Sequence, residues 1–182
     1  MAKKTYERAG GAGIGVELEL RNRLLAQTFQ HTYERTDNQL AVLSQWKGGG
    51  EVVKALRGLF QEQVSGLEKS IEQLKVLCDG KGIKVAFTGK AYQIKAVALT
   101  PYSALYISIF QKIDEALSYL HAMWVAGLVD DDAFREQAHM LRARVHAASR
   151  DVGAVFHKVV KGEETEGTET EELEGQGDAK AE

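Results

Sequence analysis

Cysteine, proline and long apolar runs are scarce in this chain, which has one cysteine and one proline among 182 residues. A single cysteine cannot form an intramolecular disulfide, which excludes a disulfide-stabilised scaffold. Cys78 is therefore expected to pack on an apolar helix face of a cytoplasmic protein. No apolar run approaches the roughly 20 residues of a membrane span, and no segment resembles a signal peptide. Because 44% of the residues are apolar, wholesale disorder is also excluded.

Patterns that carry catalysis or metal binding are missing as well. No Ser/His/Asp, Cys/His or Gly-Lys-Ser/Thr arrangement occurs at a useful spacing. His139 and His146 are seven positions apart, whereas a helical zinc site pairs its histidines at i and i+4. We therefore expect no enzyme activity, no metal or other cofactor and no small-molecule substrate.

The net charge of −3 conceals an uneven distribution of charge. Of 23 basic and 26 acidic residues, the segment 162–182 holds one and nine, so residues 1–161 hold 22 and 17. The segment 162–182 is expected to be a disordered acidic tail, because it has too little apolar surface to fold. Such a tail either keeps the protein soluble or competes with nucleic acid for the basic body, and the sequence favours neither.

Hydrophobic periodicity predicts a mainly helical domain over 14–161, preceded by a flexible basic arm over 1–13. Strict alternation predicts a short strand over 16–21. Helices are predicted over about 22–46, 51–78, 101–126 and 131–160. Between the second and third helices, 83–88 and 92–99 read as two strands joined by the turn 89–91. The predicted fold class is α+β, mainly α.

The last predicted strand runs directly into a helix at Thr100-Pro101. Proline fits the first turn of a helix, and threonine is a good N-cap.

The final helix carries apolar residues at steps of four and three that continue to Val159. A repeat this regular needs a partner helix along its length, within the chain or across a dimer.

The predicted hairpin has a polar face. Alternation places Lys84, Lys90, Gln93 and Lys95 together at one end of this face. A two-stranded ribbon fits the major groove of DNA, where lysine and glutamine contact guanine and adenine edges. The alternative is an ordinary solvated face, in which edge lysines prevent aggregation.

Two further basic groups are candidate phosphate contacts. Lys54 and Arg57 lie near the start of the second helix, where the helix dipole favours anions. The final helix carries a stripe of Arg135, His139, Arg142, His146 and Arg150. This stripe is a phosphate-binding surface, a docking site for the acidic tail or a solvated helix face.

Five local motifs form a set along the chain. They are the opening strand and helix from Leu18 to Phe29, Gly82-Ile83-Lys84-Val85, Leu99-Thr100-Pro101-Tyr102, Asp114-Glu115, and the turn from Ala126 to Asp130 with the helix after it. Together these motifs resemble the AcaB-like transcriptional regulator family of conjugative plasmids and integrative elements, and the resemblance covers about 16–155.

This resemblance implies a dimeric protein of the ribbon-helix-helix type that binds promoter DNA and activates conjugative transfer genes. The chain departs from small ribbon-helix-helix proteins in its long third helix and in the additional helical hairpin before it. These departures leave open whether 92–99 or 16–21 forms the ribbon between subunits. The alternative function is a helical interaction protein of the conjugation system that does not contact nucleic acid.

Overall fold

The computed structural model describes residues 13–46, 49–87 and 90–174, with side chains as far as Val160. Its elements are β1 (Ile14–Leu20), α1 (Arg23–Gln45), α2 (Gly49–Gly80), β2 (Tyr92–Ala98), α3 (Pro101–Val125) and α4 (Asp131–Glu174). The fold is mainly helical with one short antiparallel ribbon, which confirms the predicted fold class. Most of the arm predicted over 1–13 lies outside the described residues.

The two strands of the ribbon come from distant parts of the chain. β1 pairs with β2 so that Ile14 lies opposite Ala98 and Leu20 opposite Tyr92. The predicted hairpin between 83–88 and 92–99 is therefore wrong, since 83–87 has no regular structure. One physical reason is that the N–H of Ile83 donates to the carbonyl of Cys78 at 2.8 Å and closes the end of α2, with Gly82 at φ 69°.

The helix starts follow the local sequence. Asn22 caps α1 by accepting a 3.0 Å hydrogen bond from the N–H of Leu25. Thr100 and Ser103 form a reciprocal capping box at the start of α3, with Pro101 as its first residue. α4 continues to Glu174, where the sequence predicted disorder from 162. Glutamate is a strong helix former, and this segment is rich in it.

The core lies beneath the inner face of the ribbon. Leu18 and Leu20 are fully buried there, and Phe29, Tyr33, Tyr106 and Phe110 of α1 and α3 form contacting ring pairs. α2 packs mainly on α3, while α4 packs on α1 and α3. The apolar repeat of α4 therefore finds partner helices within the chain. Its buried members are Ala138, Val145, Ala148 and Val152.

Buried carboxylates hold both junctions between strand and helix. Asp114 of α3 accepts hydrogen bonds from the backbone N–H groups of Arg21 and Asn22 at 3.0 and 2.8 Å. Asp37 of α1 accepts one from the N–H of Leu99 at 3.2 Å. Burial raises the pKa of Asp37, while its hydrogen bonds with Ser103 and Leu99 oppose that rise. The carboxylates thus fix where each helix leaves the ribbon.

The chain contains two consecutive β-α-α units, β1-α1-α2 and β2-α3-α4. Their landmarks are 78 positions apart, because the strands begin at Ile14 and Tyr92 and the N-caps are Asn22 and Thr100. In the antiparallel register, Glu17 and Lys95 are 78 positions apart and also face each other. An approximate twofold axis of the ribbon therefore passes between these two residues.

Candidate nucleic-acid interface

The outer face of the ribbon is exposed along its whole length. Alternation turns every second residue of each strand away from the core. The members of this outer face are Gly15, Glu17 and Glu19 of β1 and Gln93, Lys95 and Val97 of β2. Two of the residues predicted to contact DNA, Gln93 and Lys95, lie side by side on this surface.

The polar residues of this face are paired across the strands. The Nζ of Lys95 lies 3.8 Å from the Oε1 of Glu17, and the Nε2 of Gln93 donates to the Oε2 of Glu19 at 3.2 Å. Both ion-pair members are exposed, at 88% for Lys95 and 78% for Glu17, so water screens their attraction. β1 consequently presents hydrogen-bond acceptors, whereas β2 presents the ammonium of Lys95, which only donates, and the amide of Gln93, which both donates and accepts.

The other predicted contact residues do not share this face. Without the hairpin, Lys84 lies apart from the ribbon, where it lines a cavity beside α3 and α4. Lys90 is exposed, two positions before β2. The predicted cluster of Lys84 with Gln93 and Lys95 on one strand face is therefore wrong. The physical reason is that β1, rather than 83–88, occupies the edge of β2.

Lys54 and Arg57 lie at a third place, on the exposed surface of the first turns of α2. In the described part of the chain, α2 contacts the other three helices and neither strand. Lys54 forms an ion pair with Glu51 at 2.6 Å. These two residues are thus separated from the outer face of the ribbon by helices of the body.

A basic groove begins at the end of β1 and follows α4. It consists of two adjoining cavities of about 630 and 540 Å³, and Arg142 lines both of them. The first lies between the segment 83–87, α3 and α4, and the second lies between α1 and α4. The positively charged and histidine residues that line the groove are Arg21, Arg23, Lys84, Arg142 and Arg150, with His31, His121, His139 and His146.

Negative charge in this groove is confined to one buried carboxylate. Asp114 is the acidic residue among those that line the two cavities, and its oxygens accept from the backbone at Arg21 and Asn22. In the part of the chain that the structure describes, Arg23, Lys84 and Arg142 have no ion-pair partner. The groove therefore presents uncompensated positive charge, which attracts polyanions.

Arg21 joins the groove to the ribbon. Its guanidinium lies 3.6 Å from the carboxylate of Glu19 on the outer face and 4.0 Å above the ring centroid of Phe87 in the groove. A cation held over an aromatic face is stabilised in a defined orientation. The outer face and the basic groove thus form one continuous surface.

Sequence patterns indicated Lys84 and the α4 side of this groove. His139, Arg142, His146 and Arg150 belong to the stripe predicted on the last helix, and they face α1 across the second cavity. Arg21 and Arg23 were missed, because nothing local indicates which elements pack beside the first turn of α1. The sequence did contain a signal for the α1 side of the groove, namely the polar residues Gln27, Thr28 and His31 on the side of α1 that lines the second cavity.

Metal-binding clusters and membrane-spanning helices are both absent from the described residues. No group of three or more histidine, cysteine, aspartate or glutamate side chains is arranged there to hold a metal ion. None of the helices in those ranges has the length and apolar character to cross a membrane.

Cys78 is 1% exposed, and burial raises the pKa of its thiol, which disfavours the reactive thiolate.

Comparison with known proteins links the chain to one solved structure. No family model matches the sequence, and no curated protein matches it either. The structure aligns with the crystal structure of AcaB from uropathogenic E. coli at a TM-score of 0.76. The alignment covers 89% of this chain and 88% of that chain, at 15% sequence identity. The chain therefore has an AcaB-like fold, which agrees with the resemblance found in its sequence motifs.

Proposed function

We propose that this chain binds duplex DNA as a homodimer and regulates the transcription of conjugative transfer genes. The observation that carries the proposal is the continuity of the ribbon with the basic groove at Arg21. A DNA-binding protein needs residues for base edges and positive charge for the phosphates beside them. The outer face offers the first and the groove offers the second.

The residues divide into two roles under this proposal. Gln93 and Lys95 lie on an exposed two-stranded ribbon, an element whose size suits the major groove, and their side chains suit adenine and guanine edges. Arg23, Lys84 and Arg142 carry unpaired positive charge in the groove and hold phosphates. Lys90, an exposed cation two positions before β2, adds a phosphate contact, whereas Lys54 and Arg57 lie on α2, away from this surface.

The proposed regulatory role is inferred from the similarity of this chain to the AcaB-like family. Activation, rather than repression, and the choice of transfer genes as targets follow from the resemblance to the AcaB-like family. The AcaB-like fold supports this kinship at the level of architecture. Self-association likewise follows from the resemblance.

A second candidate function is protein interaction within the conjugation system, without DNA. The observation that favours it is the apolar surface of α2, where Leu59, Val76 and Leu77 are 48%, 60% and 52% exposed. Exposed apolar groups of this kind often mark protein contacts. The net acidity of the outer face, with Glu17 and Glu19 against Lys95, points the same way.

Equilibrium binding distinguishes the two functions. Full-length protein is titrated against a transfer-promoter fragment and an unrelated fragment of equal length, each at two salt concentrations. A regulator prefers the promoter fragment at both salts, and its affinity for either fragment falls as salt rises. Equal affinity for the two fragments at both salts, or no binding, contradicts the regulator function.

A further inference from the structure

We infer that one chain carries a complete and asymmetric DNA-reading ribbon, so that its contacts have a fixed direction along the DNA. This inference rests on the proposed DNA-binding function. In a ribbon built by two identical chains, equivalent positions hold identical residues. Here both strands belong to one chain, and the equivalent positions differ.

The differences lie at the positions that face outward. With landmarks 78 positions apart, Gly15 corresponds to Gln93, Glu17 to Lys95 and Glu19 to Val97. β1 therefore contributes two carboxylate acceptors and a glycine, while β2 contributes an ammonium donor, an amide that both donates and accepts, and an apolar side chain. Glutamate accepts from the amino group of cytosine, lysine donates to guanine, and glutamine suits adenine. Such a surface favours one orientation of a base pair over the other.

Glu17 and Lys95 provide the test because the approximate twofold axis passes between them. Exchanging their side chains is equivalent, for this pair, to rotating the ribbon by half a turn. The double variant Glu17→Lys with Lys95→Glu keeps the net charge and the opposed ion pair. It reverses the direction of the central contact and changes no other residue of the outer face.

The experiment selects binding sites from a randomised DNA pool with the wild-type protein and with this double variant. We expect the two proteins to select the same flanking bases but opposite orientations of the central base pair. Each protein should prefer its own site over the other's by roughly tenfold. The control is Glu72→Lys with Lys75→Glu, a charge exchange on the exposed surface of α2, which should leave the selected site unchanged.

A disulfide test shows whether the ribbon forms within one chain in solution. Glu17→Cys and Lys95→Cys in the same chain should form an intrachain bond, because the two residues face each other in the ribbon. Oxidised protein should then migrate as a monomer under denaturing, non-reducing conditions. A mixture of the two single variants should give no more crosslinked dimer than either variant oxidised alone.

The outcomes separate the inference from the proposed function. If the wild type selects no site, the proposed DNA-binding function is wrong, and so is the inferred direction of its contacts along the DNA. Selection of the same central base pair by the wild type and the double variant overturns the inference while the function stands. A crosslinked dimer that forms in the mixture of the two single variants but from neither variant alone also overturns the inference, because the ribbon then forms between chains.

Discussion

The carboxylate of Asp114 accepts a 2.8 Å hydrogen bond from the backbone N–H of Asn22, 92 positions earlier in the sequence. This contact fixes α3 to the turn at which β1 becomes α1. The same turn supplies Arg21 and Arg23 to the basic groove. The geometry of the candidate interface thus depends on a buried acid that is not available to a ligand.

Replacing Asp114 should destabilise the fold. In Asp114→Ala, the N–H groups of Arg21 and Asn22 lose their acceptor in a partly buried site, which costs about 2–4 kcal/mol. Asp114→Asn retains one acceptor oxygen and should cost less. Urea unfolding measures the loss, and the matched control is the neighbouring Glu115→Ala, whose side chain is 46% exposed. Equal midpoints for Asp114→Ala and Glu115→Ala would show that the carboxylate does not hold the junction.

Asp37 should give the protein a pH-dependent stability. Burial raises the pKa of this carboxyl in the folded state above its unfolded value of 3.8. A raised pKa means that the protonated form is favoured by folding, so its contribution is present below the unfolded pKa and is lost as pH rises through the folded pKa. The free energy of unfolding of wild type minus that of Asp37→Asn should therefore fall as pH is raised from about 3 to 7.

Urea unfolding of both proteins across that pH range measures this difference. Other titrating groups are common to the two proteins and cancel. A difference that stays constant, or that grows with pH, would contradict the raised pKa of Asp37.

Local sequence determined most of the helices and their starts. Thr100 and Pro101 are adjacent, so the N-cap and the first residue of α3 could be predicted from the order of residues, whereas the reciprocal bond from Ser103 was not predicted. The pairing of β1 with β2 could not, because a short hairpin is closer in sequence and its alternating residues looked equally suitable. In the structure β1 pairs with β2 in place of 83–88, and the N–H of Ile83 donates to the carbonyl of Cys78 at the end of α2.

The candidate interface could be predicted only in part, because local sequence places some of its residues and contacts between distant segments place the others. Alternation within β2 sufficed to turn Gln93 and Lys95 outward. The acids opposite them and the groove beside Arg21 depend on which distant segments meet. The repeated β-α-α unit was not predicted either, since equivalent positions such as Glu17 and Lys95 carry unlike side chains.

Removing positive charge from the basic groove should weaken binding to DNA of any sequence. Arg23→Ala, Lys84→Ala and Arg142→Ala should each lower affinity for promoter and unrelated DNA alike. Each should also reduce the slope of log affinity against log salt by about 1. Lys75→Ala, on the exposed surface of α2, is the control. Salt slopes equal to that of this control would place the phosphates elsewhere, at Lys54 and Arg57 or at Arg135.

Deleting 162–182 should strengthen nonspecific binding. The segment carries nine acids against one lysine, and its removal ends local competition with DNA for the basic body. We expect affinity for unrelated DNA to rise several-fold at low salt, an effect that screening reduces at high salt. Unchanged affinity would leave the segment a solubilising tail.

The substitution Lys95→Ala is the most direct test of whether the outer face of the ribbon contacts the bases of DNA. The measurement is the ratio of affinities for a transfer-promoter fragment and an unrelated fragment, compared between wild type and Lys95→Ala, with sedimentation to check that self-association is unchanged. We expect the ratio to fall roughly tenfold, through loss of promoter binding. A ratio equal to that of the wild type would contradict this expectation.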